Sequence, residues 1–171
     1  ALTLNLLGTY LRDAHAGDIR KRDLIKLAEA DDEEQGGHAF RVMDAYATSL
    51  ENEGEKGQRA LALLRLMGLF DRPAPADCLT TLLQAPPIID LSEALFTVKR
   101  KWFGLKRDYY TIEQNQLSVV LTRLEQANLL TVNRDSAGTL LALDAHPLLR
   151  EYFAKQLREQ HPEAWRAAHR R

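Results

Sequence analysis

QLSVVLTRLEQANLLTVNRDSAGTLLAL, residues 116–143, changes its apolar period part-way along and so decides the fold. Leu117, Val120, Leu121 and Leu124 recur at helical spacing, which predicts an amphipathic helix over 116–128. Two short extended runs follow, Leu129 to Asn133 and Thr139 to Leu143. They are joined by Arg134-Asp-Ser-Ala-Gly138, whose glycine can supply the positive φ of a short hairpin loop.

Upstream, Ala60, Leu61, Leu63, Leu64, Leu66, Met67 and Leu69 read as a central helix that is apolar nearly all round. Pro73 and Pro75 bracket the start of another, with Cys78, Leu79, Leu82 and Leu83 as its buried side, closed by Ala85-Pro86-Pro87. Helix, helix, helix, β-hairpin is the order of a winged helix. The stretch 88–113 interrupts it and reads as a charged insertion.

Before residue 54 the pattern is helical throughout. Leu2, Leu4, Leu6, Leu7, Tyr10 and Leu11 make one apolar face that ends at Ala16-Gly17. Asp18 can cap a second helix carrying Ile19, Leu24, Ile25 and Leu27, which runs into the acidic group Glu29, Asp31, Asp32, Glu33 and Glu34. A third, His38 to Leu50, turns Phe40, Val42, Met43, Tyr46 and Leu50 inward. The expected architecture is mainly α. It comprises a helical bundle (1–53), a winged helix with a small β-hairpin (54–145, insertion at about 88–113) and C-terminal helices (146–171).

The hairpin leads into LDAHPLLREYFA, residues 143–154. Asp144 and His146 stand at a strand-to-helix junction, and Pro147 occupies the first helical position, where its missing N–H costs nothing. A helix start carries unpaired N–H groups and about half a positive charge, a ready place for an anion, and a histidine there can lend a further donor. A last helix begins near Pro162.

With 171 residues, 45% hydrophobic and 27% charged, the chain has the balance of a globular protein. Its net charge is −1, so no global field draws it to nucleic acid or an anionic membrane. One cysteine, Cys78, cannot form an internal disulfide and is expected to be a small buried apolar residue in a reducing compartment. Every leucine-rich run is broken by charge, so a membrane span is not expected and the protein is expected to be cytoplasmic. The unfinished patterns at both ends read as an excised section of a longer chain.

No GxxxxGK[ST], GxGxxG, GxSxG, HExxH or CxxC occurs, so the chain is expected not to be an enzyme. His15, His38, His146, His161 and His169 lack a metal-ligand spacing, and no metal site is expected. Glu113 and Glu125 are too ordinary a pair for acid–base work. Winged helices often bind DNA, and the outward residues of the 116–128 helix would then be Asn115, Ser118, Val119, Thr122, Arg123, Glu125 and Gln126. Lys99, Arg100, Lys101, Lys106 and Arg107, interleaved with Trp102, Phe103, Tyr109 and Tyr110, form the better basic cluster. A DNA-binding winged-helix regulator using this cluster and Arg123 is the alternative reading. Arg123 beside Glu125 and Arg134 beside Asp135 give little grip on phosphate, and nucleic acid is not the favoured partner.

ALTLNLLGTYL at the start and LDAHPLLREYFA near the end together resemble the middle section of STAND-class signalling NTPases, the NB-ARC and NACHT types. There a helical domain beginning with a GxP-L-type motif follows the nucleotide-binding α/β domain, and a winged helix then ends in a Met-His-Asp motif. Leu2, Leu4, Leu6, Leu7 and Gly8 match the first motif, with Ala1 where the family has proline. His146 matches the histidine of the second, with Ala145 and Pro147 in place of Met and Asp, so only the histidine carries over. The resemblance implies that His146 reaches the β-phosphate of ADP held by an upstream domain. The module would then be the lid and relay of an ATP/ADP switch. Walker A and Walker B residues are absent, so the parent protein, not this section, would be the ATPase, and tight nucleotide binding is not expected here. The implied partners are the nucleotide-binding domain, a downstream helical-repeat region as in bacterial members, and further copies in an oligomer on activation.

Overall fold

The computed structural model describes residues 2–25, 37–100 and 108–171. In chain order its helices are α1 (Leu2–His15), α2 (Gly37–Asn52), α3 (Glu55–Met67), α4 (Ala76–Leu82), α5 (Gln114–Gln126), α6 (Pro147–Gln160) and α7 (Pro162–His169). The strands are β1 (Ala74–Pro75), β2 (Thr97–Arg100), β3 (Asp108–Thr111), β4 (Leu130–Arg134) and β5 (Leu140–Ala145). The protein is mainly helical, with a small antiparallel sheet.

α2, α5, α6 and β5 pack directly on α3. Ala60, Leu61, Leu63, Leu64, Leu66 and Met67 are all buried, because an apolar helix without a polar face has to be surrounded. Two glycines let neighbours approach its ends. A Cβ on Gly57 would lie 2.0 Å from the Leu50 carbonyl oxygen of α2, and one on Gly68 would lie 2.5 Å from the Ala154 nitrogen of α6. The apolar cluster runs without a break from Tyr10 and Leu11 of α1, through α2 and α3, to Ala164 and Ala168 of α7. Helices before and after residue 53 therefore share one core.

Polar bonds fix the helix packing. Tyr152 of α6 donates to Asp44 of α2 at 2.5 Å, and the Thr9 hydroxyl of α1 donates to the Ala127 carbonyl just after α5 at 3.3 Å. The buried Arg65 guanidinium of α3 donates to Gln156 of α6 at 3.0 Å and to Glu51 of α2 at 3.2 Å. A buried charge needs such partners, and α2 and α6 supply them.

The main sheet has the order β1-β5-β4, all antiparallel. At the β4–β5 turn, the Asp135 side chain accepts the N–H groups of Ala137 and Thr139, and Gly138 takes φ 81°. The periodicity of 129–143 did anticipate this hairpin. It did not anticipate β1, two residues long, which pairs Ala74 with Leu143 and Pro75 with Ala142.

Four expectations are corrected. Cys78 is exposed rather than buried, because the inward side of α4 is Leu79 and Leu82, and the preceding position turns outward. Leu4 of α1 is 75% exposed, off the face carried by Tyr10 and Leu11. The second helix is a 3-10 turn, Ile19–Ile25, with Ile19 exposed, although Asp18 does accept the Arg20 N–H as a cap would. Finally, the described part of the 88–113 insertion is not simply solvated. Ile88, Leu91 and Leu95 are buried, the Ser92 hydroxyl accepts the Ile88 N–H at 2.9 Å, and β2 and β3 then pair from Thr97↔Thr111 to Arg100↔Asp108. The acidic group at 29–34 and the residues Trp102, Phe103 and Leu105 lie outside the described residues. Among the described residues no helix is long and apolar enough to cross a membrane.

Candidate functional site

The candidate site is the corner where β5 becomes α6. β5 ends at Ala145, paired with Leu130, and α6 begins at Pro147, so His146 is the single residue between them. Its Nδ1 accepts the Leu148 N–H at 3.2 Å, which makes the imidazole itself the helix cap. Leu149 and Arg150 both donate their N–H groups to the His146 carbonyl, at 2.9 and 3.1 Å, and Pro147 has none. The first-turn N–H groups of α6 are therefore all used.

This changes the anion site expected at that helix start. The free backbone donors are gone, consumed by the capping histidine and its carbonyl. What remains is on the ring. A neutral imidazole that accepts at Nδ1 carries its proton on Nε2, and His146 is exposed, so one N–H donor points away from the helix. Such a donor suits an acceptor-only group such as a phosphate oxygen or a carboxylate.

The corner is braced from one side. The Asp144 carboxylate accepts the Ala145 N–H at 2.8 Å and the Arg150 guanidinium at 2.8 Å, and the Arg150 side chain is only 12% exposed. The pair ties the last strand residues to the first turn of the helix and balances its own charge. Sequence reasoning missed it, because a carboxylate six positions before an arginine belongs to no local pattern. Behind it, α6 is fixed to the core by Leu149, Phe153 and Leu157 and by the Tyr152–Asp44 bond. Burial, with Asp44 adding to it, pushes the Tyr152 phenol well above its ordinary range.

Most of the basic cluster falls outside the described residues. Lys99 and Arg100 belong to β2, while Lys101, Lys106 and Arg107 lie outside the described residues. Arg123 grips both carboxylate oxygens of Glu53, at 2.7 and 2.8 Å, and approaches Asp13 at 3.6 Å. Hydrogen bonding to Glu53 raises its pKa further. Asn115, Ser118, Val119, Thr122, Glu125 and Gln126 are exposed, a face whose one ionised group is an acid.

The remaining histidines are scattered. His15 bonds the Tyr10 hydroxyl at 2.9 Å, His169 donates to the Trp165 carbonyl, and His161 lies 3.9 Å from Asp90. Among the described residues no group of three His, Cys, Asp or Glu side chains could hold a metal.

No family model, curated protein or solved structure matches the chain.

Proposed function

We propose that this chain is the helical plus winged-helix section of a STAND-type ATPase, acting as the lid and relay of an ATP/ADP switch. The observation that carries the reading is the division of labour on the His146 ring. Nδ1 holds the start of α6, and the outward Nε2–H is left to meet the β-phosphate of ADP held by an upstream α/β domain. The winged-helix part of the proposal is supported by the order α3, β1, α4, α5, β4, β5, with β2 and β3 inserted between α4 and α5, and by the sheet order β1-β5-β4, in which the first strand lies beside the last.

Only one donor faces outward, so the fit to a diphosphate is specific but weak, and the section alone should hold nucleotide poorly. His146 senses the phosphate and α6 relays it, because the same ring caps the helix whose other side is packed into the core. A ligand shifts an equilibrium only through its different affinity for the two states. His146 would supply that difference by favouring the closed arrangement when ADP is bound.

In the full-length protein, His146→Ala should release ADP faster and raise basal activity. Unchanged ADP off-rates would sink the proposal. The alternative, a DNA-binding winged helix, gains no support at α5, where Arg123 is occupied by Glu53 and the exposed face offers no free cation for phosphate.

A further inference from the structure

We propose that the cleft between α4, α7 and the end of α3 binds a medium-chain carboxylate, its chain lying in the cleft and its carboxylate on Arg171. The inference is independent of the nucleotide reading. Leu69 and Phe70 just after α3, Cys78 and Leu82 of α4 and Ala168 of α7 line the cleft, which encloses about 290 Å³. At about 30 Å³ for each water-sized group, that volume holds about ten heavy atoms, the number in octanoate. The β2–β3 hairpin meets the opposite end of α3, where Thr97 and Val98 share a groove with Gln58 and Arg59, roughly 15 Å away along the helix axis.

Apolar walls alone would accept any hydrocarbon, and Arg171, which also lines the cleft, adds the preference for an anion. Its Nη1 donates to the Leu82 carbonyl at 3.0 Å and to the Gln84 carbonyl at 2.6 Å, and its Nη2 donates to the Pro86 carbonyl. A guanidinium has five N–H groups, so Nε–H and one N–H of Nη2 carry no bond to the described residues. Nε and Nη2 share one edge of the guanidinium plane, and a carboxylate can meet such an edge through both oxygens. The three carbonyls are neutral. They hold the fork in one place and leave its positive charge uncancelled. Among the described residues no carboxylate pairs with Arg171 or lines the cleft. A bare phosphate would gain the same edge but nothing from Leu69, Phe70 and Leu82, which call for a chain behind the charge.

The probe is octanoate, and Cys78, exposed and the single cysteine of the chain, reports on the cleft it lines. Calorimetry should show saturable binding with a Kd on the order of 100 µM for so small a ligand, and the same concentrations should slow the labelling of Cys78 by a thiol reagent. Octan-1-ol, which keeps the chain and lacks the charge, should bind about tenfold more weakly. Propionate, which keeps the charge and has almost no chain, should not bind in that range. Arg171→Gln should bring octanoate down to the level of octanol. If Arg171→Gln loosens the turn at 82–86, the ligand series in the parent protein decides by itself. Cys78→Phe, a change at an exposed position of α4, should abolish binding by filling the cleft. The proposal is overturned if octanoate does not bind saturably or binds without protecting Cys78. It is equally overturned if octanol matches octanoate, or if a folded Arg171→Gln or Cys78→Phe variant binds octanoate as the parent does.

Discussion

Replacing Gly68 with Ala sets two effects of opposite sign against each other. Gly68 closes α3 in the right-handed helical region, φ −65° and ψ −12°, where alanine is at ease. Local preference alone therefore favours the substitution, by up to about 1 kcal/mol. Packing opposes it. The added Cβ would stand 2.5 Å from the Ala154 nitrogen and 2.6 Å from the Phe153 carbonyl carbon, about 1 Å inside ordinary contact. Both are backbone atoms within α6, so no side chain can rotate out of the way. α6 would have to move off α3 as a body, loosening Phe153 and Leu157 and stretching the Arg65–Gln156 bond. Overpacking usually costs roughly 1–3 kcal/mol, and an immovable obstacle puts this site near the upper end. After the local gain, a net loss of about 2 kcal/mol remains. In urea unfolding followed by circular dichroism, with a slope of about 2 kcal/mol/M, the midpoint should fall by about 1 M. A midpoint at or above that of the parent protein would refute the close seating of α6 on α3, and with it the rigid mounting of His146.

The Arg123–Glu53 pair is partly exposed, so a double-mutant cycle with alanine should give a coupling of about 0.5–1 kcal/mol at low salt that shrinks in molar salt. A coupling unaffected by salt would mean the fork does more than pair charge. Tyr46 and Tyr152 both have raised phenol pKa values because of burial. The folded state keeps their protons after the unfolded chain has released them, so their contribution is full below pH 10 and lost as pH rises beyond it. Of the five tyrosines, these two should ionise only with unfolding in an absorbance titration; five independent titrations in the native state would contradict this. Cys78 is exposed and should react with a thiol reagent in the native protein. Reaction only after unfolding would restore the buried reading.

The parts of the fold that could be read in advance are those whose signals are local. Pro147 marks the start of α6 and Pro162 that of α7, Gly138 marks the hairpin turn, and the leucine spacing marks α5. What escaped reading depends on distant partners. β1 is a strand only because Ala74 and Pro75 lie against Leu143 and Ala142, and two residues carry no period. Ile88, Leu91 and Leu95 join the core from a stretch broken by Pro86, Pro87 and a left-handed Asp90, so their spacing never builds a pattern long enough to recognise. At the site, the place of His146 was legible but its role as a cap was not. Caps are usually Ser, Thr, Asp or Asn, and an imidazole in that place gives no signal in the sequence. The Asp144–Arg150 brace was hidden because a spacing of six residues belongs to no local pattern.

The central claim is that opposite nitrogens of His146 do separate work, and one comparison tests it. Asparagine can cap α6 through its side-chain oxygen but has no donor in the place of the ring's Nε2–H, whereas alanine can do neither. If the proposed ATP/ADP switch holds, both variants of the full-length protein loaded with ADP should release nucleotide about tenfold faster, the loss of one hydrogen bond to a charged acceptor. Only the alanine variant should also lose about 1 kcal/mol of stability, the usual cost of a missing cap. An asparagine variant that keeps the parent rate of ADP release would contradict the account.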